Sequence, residues 1–190
     1  MAKLLPGNET VLLIPAVIKN GIPHLTARAN GATVPISAPT KAILDPYIAQ
    51  RAPVARGLLG GNISEAIRDD LQLGMTASQT SNSRAITSIG ANEQLTFFNF
   101  QANFNFFRDE NAADLGAYNL ARISTRAQGV PYVIAHRVGA RQTAVATVGE
   151  KWDFYYALTG QPVPGYSDGE ELMIGQNFVP KNILNVAYAI

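Results

Sequence analysis

Between residues 97 and 107 apolar and polar positions alternate without a slip. Phe98, Phe100, Ala102, Phe104 and Phe106 fall on one side, and Asn99, Gln101, Asn103 and Asn105 on the other. A period of two is the mark of a strand with one face on a core and the other open. Burying the four phenylalanines contributes on the order of 2 kcal/mol each, enough to anchor a sheet. A second alternation runs from 62 to 73. Ile63, Glu65, Ile67, Asp69, Leu71 and Leu73 share a face there, which predicts a long strand with two acids on its apolar side. Shorter strands are expected at residues 10–17, 84–89, 131–138 and 151–158, and two more within 172–189, broken near Pro180. In the 151–158 segment Trp152, Phe154, Tyr156 and Leu158 share a face.

Helical spacing occurs once in full, over 110–123, where Ala113, Leu115, Tyr118, Leu120 and Ala121 recur, Asn111 is the expected cap and Gly116 weakens the interior. Residues 39–50 predict one or two helical turns, with Thr40 as cap and Pro46 as interruption. Pro15 predicts an edge or a bulge for the first strand. Residues 20–39, with Gly21, Pro23, Gly31, Pro35 and Pro39, read as a hairpin or an irregular loop, and 51–62 as a further Pro/Gly-rich connection, so little regular structure is expected from 10 to 62. Strand dominates, so the expected fold is mainly β, with two packed antiparallel sheets in a sandwich or barrel and one flanking helix. The 190 residues read as a single domain, with an irregular N-terminal arm and loop region over about 1–62.

Composition narrows the function. The chain lacks cysteine, which excludes disulfides, thiolate metal sites and a cysteine nucleophile. A net charge of +1 argues against a strongly electrostatic nucleic-acid binder. The charge is nevertheless segregated: residues 1–60 hold six basic against two acidic side chains, and residues 61–120 hold three against seven. A basic part of one copy can thereby meet an acidic part of another. No apolar run approaches the roughly 20 residues that span a bilayer. The first 17 residues lack a cleavage site, so the expectation is an unexported protein made in the cytoplasm, without membrane partners.

Catalytic and metal signals are weak. His24 and His136 have no HxxxH or HxH spacing, and no GxSxG or P-loop sequence occurs. Residues 57–61 (GLLGG) lack the lysine and spacing of a phosphate cradle. Asp168, Glu170 and Glu171 form an acidic loop with the donor type of a calcium site, a pattern that a solvated loop also produces. Neither a catalytic residue nor a cofactor or metal ligand is assigned. Tyr155, Tyr156 and Tyr166 fit either the stacking platform of a carbohydrate-binding β-sandwich or a core and subunit interface.

Residues 70–121 carry a recognisable order of segments. A strand ends in Gly74-Met-Thr-Ala-Ser78, and Arg84-Ala-Ile-Thr-Ser-Ile-Gly90 follows. Next come the Phe/Asn strand closing in Phe106-Phe-Arg-Asp109, and then Asp114-Leu-Gly-Ala-Tyr-Asn-Leu-Ala-Arg122. With Ser37-Ala-Pro-Thr40 before a short helix and Lys151-Trp-Asp-Phe-Tyr155 later on, this resembles the major tail tube protein of long-tailed bacteriophages, especially those infecting actinobacteria. The family often has a glutamate soon after the Ala-Pro-Thr stretch, whereas this chain reads Lys41-Ala-Ile-Leu44.

The resemblance implies a tail-tube-like sandwich with extended loops and terminal arms, six copies to a ring, and rings stacked into a tube in the virion. Its partners would be itself, a tape-measure protein, tail terminator and distal tail proteins, and double-stranded DNA in transit. A tube-capping terminator relative is the alternative within the same class. On this view Asn99, Gln101, Asn103 and Asn105 fit the lumen of a tube, although the solvent face of an ordinary sheet has the same pattern. Glu65 and Asp69 would pair with Arg51 or Arg56, either in the next copy or within one chain.

Overall fold

The runs 10–16 (TVLLIPA), 132–135 (YVIA) and 154–157 (FYYA) show no alternation because both of their faces are covered. The computed structural model describes residues 8–53, 59–76, 79–83, 92–97, 100–109, 111, 115–165 and 172–190. In chain order the elements begin with strands β1 (Glu9–Lys19), β2 (Ile22–Thr26) and β3 (Thr33–Pro35), helix α1 (Lys41–Ala49), β4 (Gly61–Asn62) and a 3-10 turn (Ser64–Ala66). Then come β5 (Gln72–Met75), β6 (Gln79–Ser83), β7 (Asn92–Phe97), β8 (Phe100–Phe107) and helix α2 (Ala117–Thr125). The chain finishes with β9 (Pro131–Val138), β10 (Lys151–Thr159), β11 (Val163–Gly165) and β12 (Met173–Ala189).

One antiparallel sheet runs in the order β3-β2-β1-β9-β10-β12-β8-β5, with β4 beside β1 and β11 beside β12, while β6 and β7 pair separately. The sheet makes both layers of a sandwich because β12 changes partners along its length. Its residues 173–177 pair with β8, and 178–189 with β10. The phenylalanine face of β8 thus lies over β9 and β10. Phe100 meets Tyr155 at 5.1 Å between ring centroids, and Phe104 meets Phe178 at 5.0 Å. This first core also takes Val11, Leu13, Ile134 and, from α2, Leu120 and Ala121. On the other face of β1, β9 and β10 a second core joins Leu12, Ile14, Val133, Trp152 and Phe154 to Ile43, Leu44, Tyr47 and Ile48 of α1. Trp152, Phe154, Tyr156 and Leu158 share that face, as expected.

A buried cation ties the loop between β9 and β10 to this framework. The side chain of Arg137 is fully buried, and its guanidinium donates to Thr10 Oγ1 at 3.0 Å, to both carboxylate oxygens of Glu150 at 3.1 and 3.2 Å, and to the carbonyls of Arg141 and Ala144. It stands 4.7 Å over the ring of Trp152. Every face of the charge has a partner, the condition under which burial of an ion is tolerated.

Several expectations require correction. The segment from 62 to 73 is not one strand, because side-chain hydrogen bonds to the backbone compete with a ladder. Ser64 Oγ accepts from Val11 N at 2.8 Å, and Asn62 Oδ1 accepts from Ser64 N, which curls the chain into the 3-10 turn. Ile63, Ile67, Leu71 and Leu73 still reach the core. Where it is described, the stretch from 10 to 62 holds more regular structure than expected: β2 and β3 form the hairpin that residues 20–39 allow, and β1, α1 and β4 complete it. Nor does β1 lie at an edge. Pro15 stands where β1 exchanges β4 for β2 on one side, so the ladder is already interrupted there.

Helix α1 continues through Pro46, since four buried apolar side chains outweigh one lost backbone bond; Thr40 makes no side-chain cap. A second helix therefore joins the expected one. Helix α2 starts at Ala117, with Gly116 as its cap in place of Asn111. Glycine is well tolerated at that position. Residues 172–189 hold a single strand with a register shift beside Pro180, not two strands. The strand expected at 84–89 lies outside the described residues.

Candidate functional site

The alternation of β8 is realised in full where it is described. Phe100, Ala102, Phe104 and Phe106 are buried, Gln101 is exposed, and Asn103 and Asn105 are half-buried on the opposite face. Asn99 lies outside the described residues. The register extends this amide face over its neighbours, since Gln72 of β5, Asn103 and Asn177 of β12 are cross-strand partners in one row. Asn103 Nδ2 donates to Gln72 Oε1 at 3.2 Å, and Asn105 Nδ2 donates to Asp70 Oδ2 at 2.7 Å. Opposite Asn105 sits Gly175, where an added Cβ would stand 3.4 Å from Asn105 Oδ1. The missing side chain leaves a depression of about 220 Å3 rimmed by Asn103, Asn105, Gln161 and Asn177.

Gln72, Gln161 and Asn177 were not singled out from sequence. The polar side of the 62–73 alternation already contains Gln72. Asn177 is masked because its neighbour Gln176 is buried on the core side, where its Nε2 donates to the carbonyl of Gly160 at 3.1 Å.

The expected intersubunit residues divide. Arg51 Nη1 and Glu65 Oε1 lie 2.7 Å apart within one chain, and Gln142 Nε2 donates to the same oxygen. Asp69 is almost fully exposed, with Arg68 Nε at 3.6 Å. Arg56 lies outside the described residues. Lys41 pairs with Asp45 at 2.8 Å and bonds the carbonyl of Ala146.

Other candidates resolve into packing. His24 and His136 face β1 at Val17 and Val11, six residues and so roughly 20 Å apart along the strand. Tyr155 and Tyr156 are buried in the two cores and form no surface platform. Burial pushes the Tyr155 hydroxyl up to about 12, with the Asp153 charge adding to it. Gly60 and Gly61 have positive φ and no room for a side chain, since a Cβ would lie 2.3 Å from Leu13 O or 2.7 Å from Gln50 O. Among the described residues no group of three His, Asp or Glu side chains is placed to hold a metal. Tyr166, Asp168, Glu170 and Glu171 lie outside them.

The sandwich thus presents amides on the outer face of β8 and its neighbours, with short strands, β5 and β11, at the edges of that layer. The phage tail tube protein family matches residues 23–189, and the chain belongs to that family. It is a structural component of the virion tail that assembles with itself and with other tail proteins. No curated protein matches the chain.

Proposed function

We propose that the whole chain acts as one tail-tube domain, that six copies close into a ring, and that rings stack into a tube with the amide face of β8 turned to the bore. The observation that carries this reading is the one-sidedness of the layer β5–β8–β12–β11: phenylalanines face inward, and Gln72, Gln101, Asn103, Asn105 and Asn177 face out. Its outer strands are short, four residues in β5 and three in β11. Closing such a layer across copies removes edges that would otherwise invite uncontrolled pairing.

A bore lined by amides offers hydrogen bonds to water without gripping phosphate. Each lysine or arginine there would add a salt-sensitive attraction, repeated around every ring. The tube is then a conduit for double-stranded DNA during ejection, occupied before that by a tape-measure protein and closed at its ends by terminator and distal proteins. Synthesis in the host cytoplasm precedes assembly.

Negative-stain electron microscopy of the chain across a concentration series tests the reading. Open-ended tubes or stacked six-fold rings are expected. Single rings would move the chain to the tube-capping relatives, and a monomer that persists with the tape-measure partner present would overturn the proposal.

A further inference from the structure

We infer that the chain carries both halves of its own ring contact on opposite edges of the β5–β8–β12–β11 layer, with Asp69 of one copy seated against Arg126 of the next. The inference rests on the ring assembly proposed above and names the side chains that would close it.

The acidic half is produced by a departure from the ladder. Ile67 bridges Phe106 and Arg68 N donates to Asn105 O, after which the chain leaves β8 and rejoins it at Gln72 opposite Asn103. The intervening turn projects Asp69 past the β5 edge, where its side chain is 96% exposed. Beside it an open depression of about 370 Å3 is rimmed by Glu9, Glu65 and Asp69, with Arg68 as its one basic side chain among the described residues. Glu65 is held by Arg51 at 2.7 Å and Asp70 by Asn105, whereas Asp69 has only the long 3.6 Å contact with Arg68 Nε and stays 96% exposed.

The basic half lies across the layer, on the far side of β12. There β11 forms the other edge, and the last turn of α2 brings Arg122 and Arg126 together with Arg108 from the end of β8. They surround a depression of about 210 Å3 walled by Pro162, Pro164 and Ile174, and no acidic side chain lines it among the described residues. Arg122 Nε donates to Asn119 Oδ1 at 3.0 Å, which orients its guanidinium. Arg126 is exposed and has no hydrogen-bond or ion-pair partner among the described residues. The carboxyl end of α2 is a favourable place for these charges, because the helix dipole is negative there.

Opposite charges on opposite edges suit a heterologous contact, in which different patches of identical copies meet and a rotation closes them into a ring. Pro164 lacks a backbone donor, so strand addition along β11 is interrupted. Side-chain charge is therefore left to set which copy docks and in what register.

Because the chain has no cysteine, introduced thiols are unique. Wild-type chain and the variant carrying Asp69→Cys and Arg126→Cys are assembled and treated with a short bis-maleimide. A covalent ladder rising to the full copy number of the ring is expected only from the double variant. In parallel, Asp69→Lys and Arg126→Glu, each checked for folding by circular dichroism, are expected to raise the concentration at which rings appear by about tenfold or more, and the combined charge swap to restore it. Rings that form at the wild-type concentration with either reversal, or assembled thiol variant that yields no ladder, would overturn the inference and leave the ring reading intact. Two damaging reversals without rescue would mean that each residue meets a different partner, which also overturns it. Failure of the wild-type chain to assemble with its tape-measure partner would remove both readings together.

Discussion

The β1–β9–β10 region and the β5–β8–β12–β11 layer belong to one sheet but are built to opposite rules. In the first, side chains on both faces are buried: Leu12 and Leu13, Val133 and Ile134, and Tyr155 and Tyr156 point alternately into two cores. In the second, only the phenylalanine face is buried, and the other is a surface of amides. The contrast separates duties. The doubly covered strands hold the fold, and the half-covered layer is free to present chemistry, because its outward side chains contribute little to stability.

The largest effect is expected where both faces are covered. Phe154→Ala should destabilise by about 3–5 kcal/mol, read as a fall in the urea midpoint. A small change there would erase the contrast. Next, Glu150→Ala would leave Arg137 buried without its carboxylate and should cost about 3 kcal/mol by the same measurement.

Raising the pH sharpens the comparison without mutation. Burial pushes the Tyr47 hydroxyl up to about 12, against a smaller opposing effect of the Arg28 charge, and Tyr155 is pushed up to about 12 as well. Tyr132, whose hydroxyl donates to Ser124 O at 2.7 Å, is raised too, again by burial first. The folded chain thus holds these protons more tightly than the unfolded chain, whose phenols titrate at about 10. This stabilisation is complete below about pH 10 and is lost as pH climbs toward 12. The phenols of Tyr47, Tyr132 and Tyr155 should ionise together with the change in circular dichroism in that window; titration of these three at about 10 with the fold intact would contradict the burial.

The smallest stability effect belongs to the amide face. Asn103→Lys should change stability by under about 1 kcal/mol, yet give assembled tubes a salt-dependent affinity for DNA that wild-type tubes lack, measured by co-sedimentation.

What was legible in the sequence follows the same division. The half-covered strand was readable because its faces differ, and the alternation from Phe100 to Phe106 passes unchanged into β8. Of the doubly covered strands, β10 shows its face through Trp152, Phe154, Tyr156 and Leu158, whereas β1 and β9 could be recognised only as apolar, since no polar face marks their register. Prolines misled most. Pro15 and Pro46 read as limits to regular structure, yet a change of strand partner accommodates one and apolar packing against α1 the other. The break in the 62–73 alternation depends on Ser64, which bonds Asn62 two residues away and accepts from Val11 N across 53 residues, a contact that a local pattern does not contain. Of the candidate site, the amides of β8 were visible from their spacing. Asn177 became visible only with the register of β12, and the inward pairing of Arg51 with Glu65 only with the fold.

The central claim is that the amide face lines a tube, and a cryo-electron microscopy reconstruction of assembled tubes tests it most directly. The predicted result places Gln101, Asn103, Asn105 and Asn177 on the wall of the bore, with Phe104 and Phe106 behind them. A map in which these amides lie on the outside of the tube, or are buried between subunits away from the bore, would contradict the account.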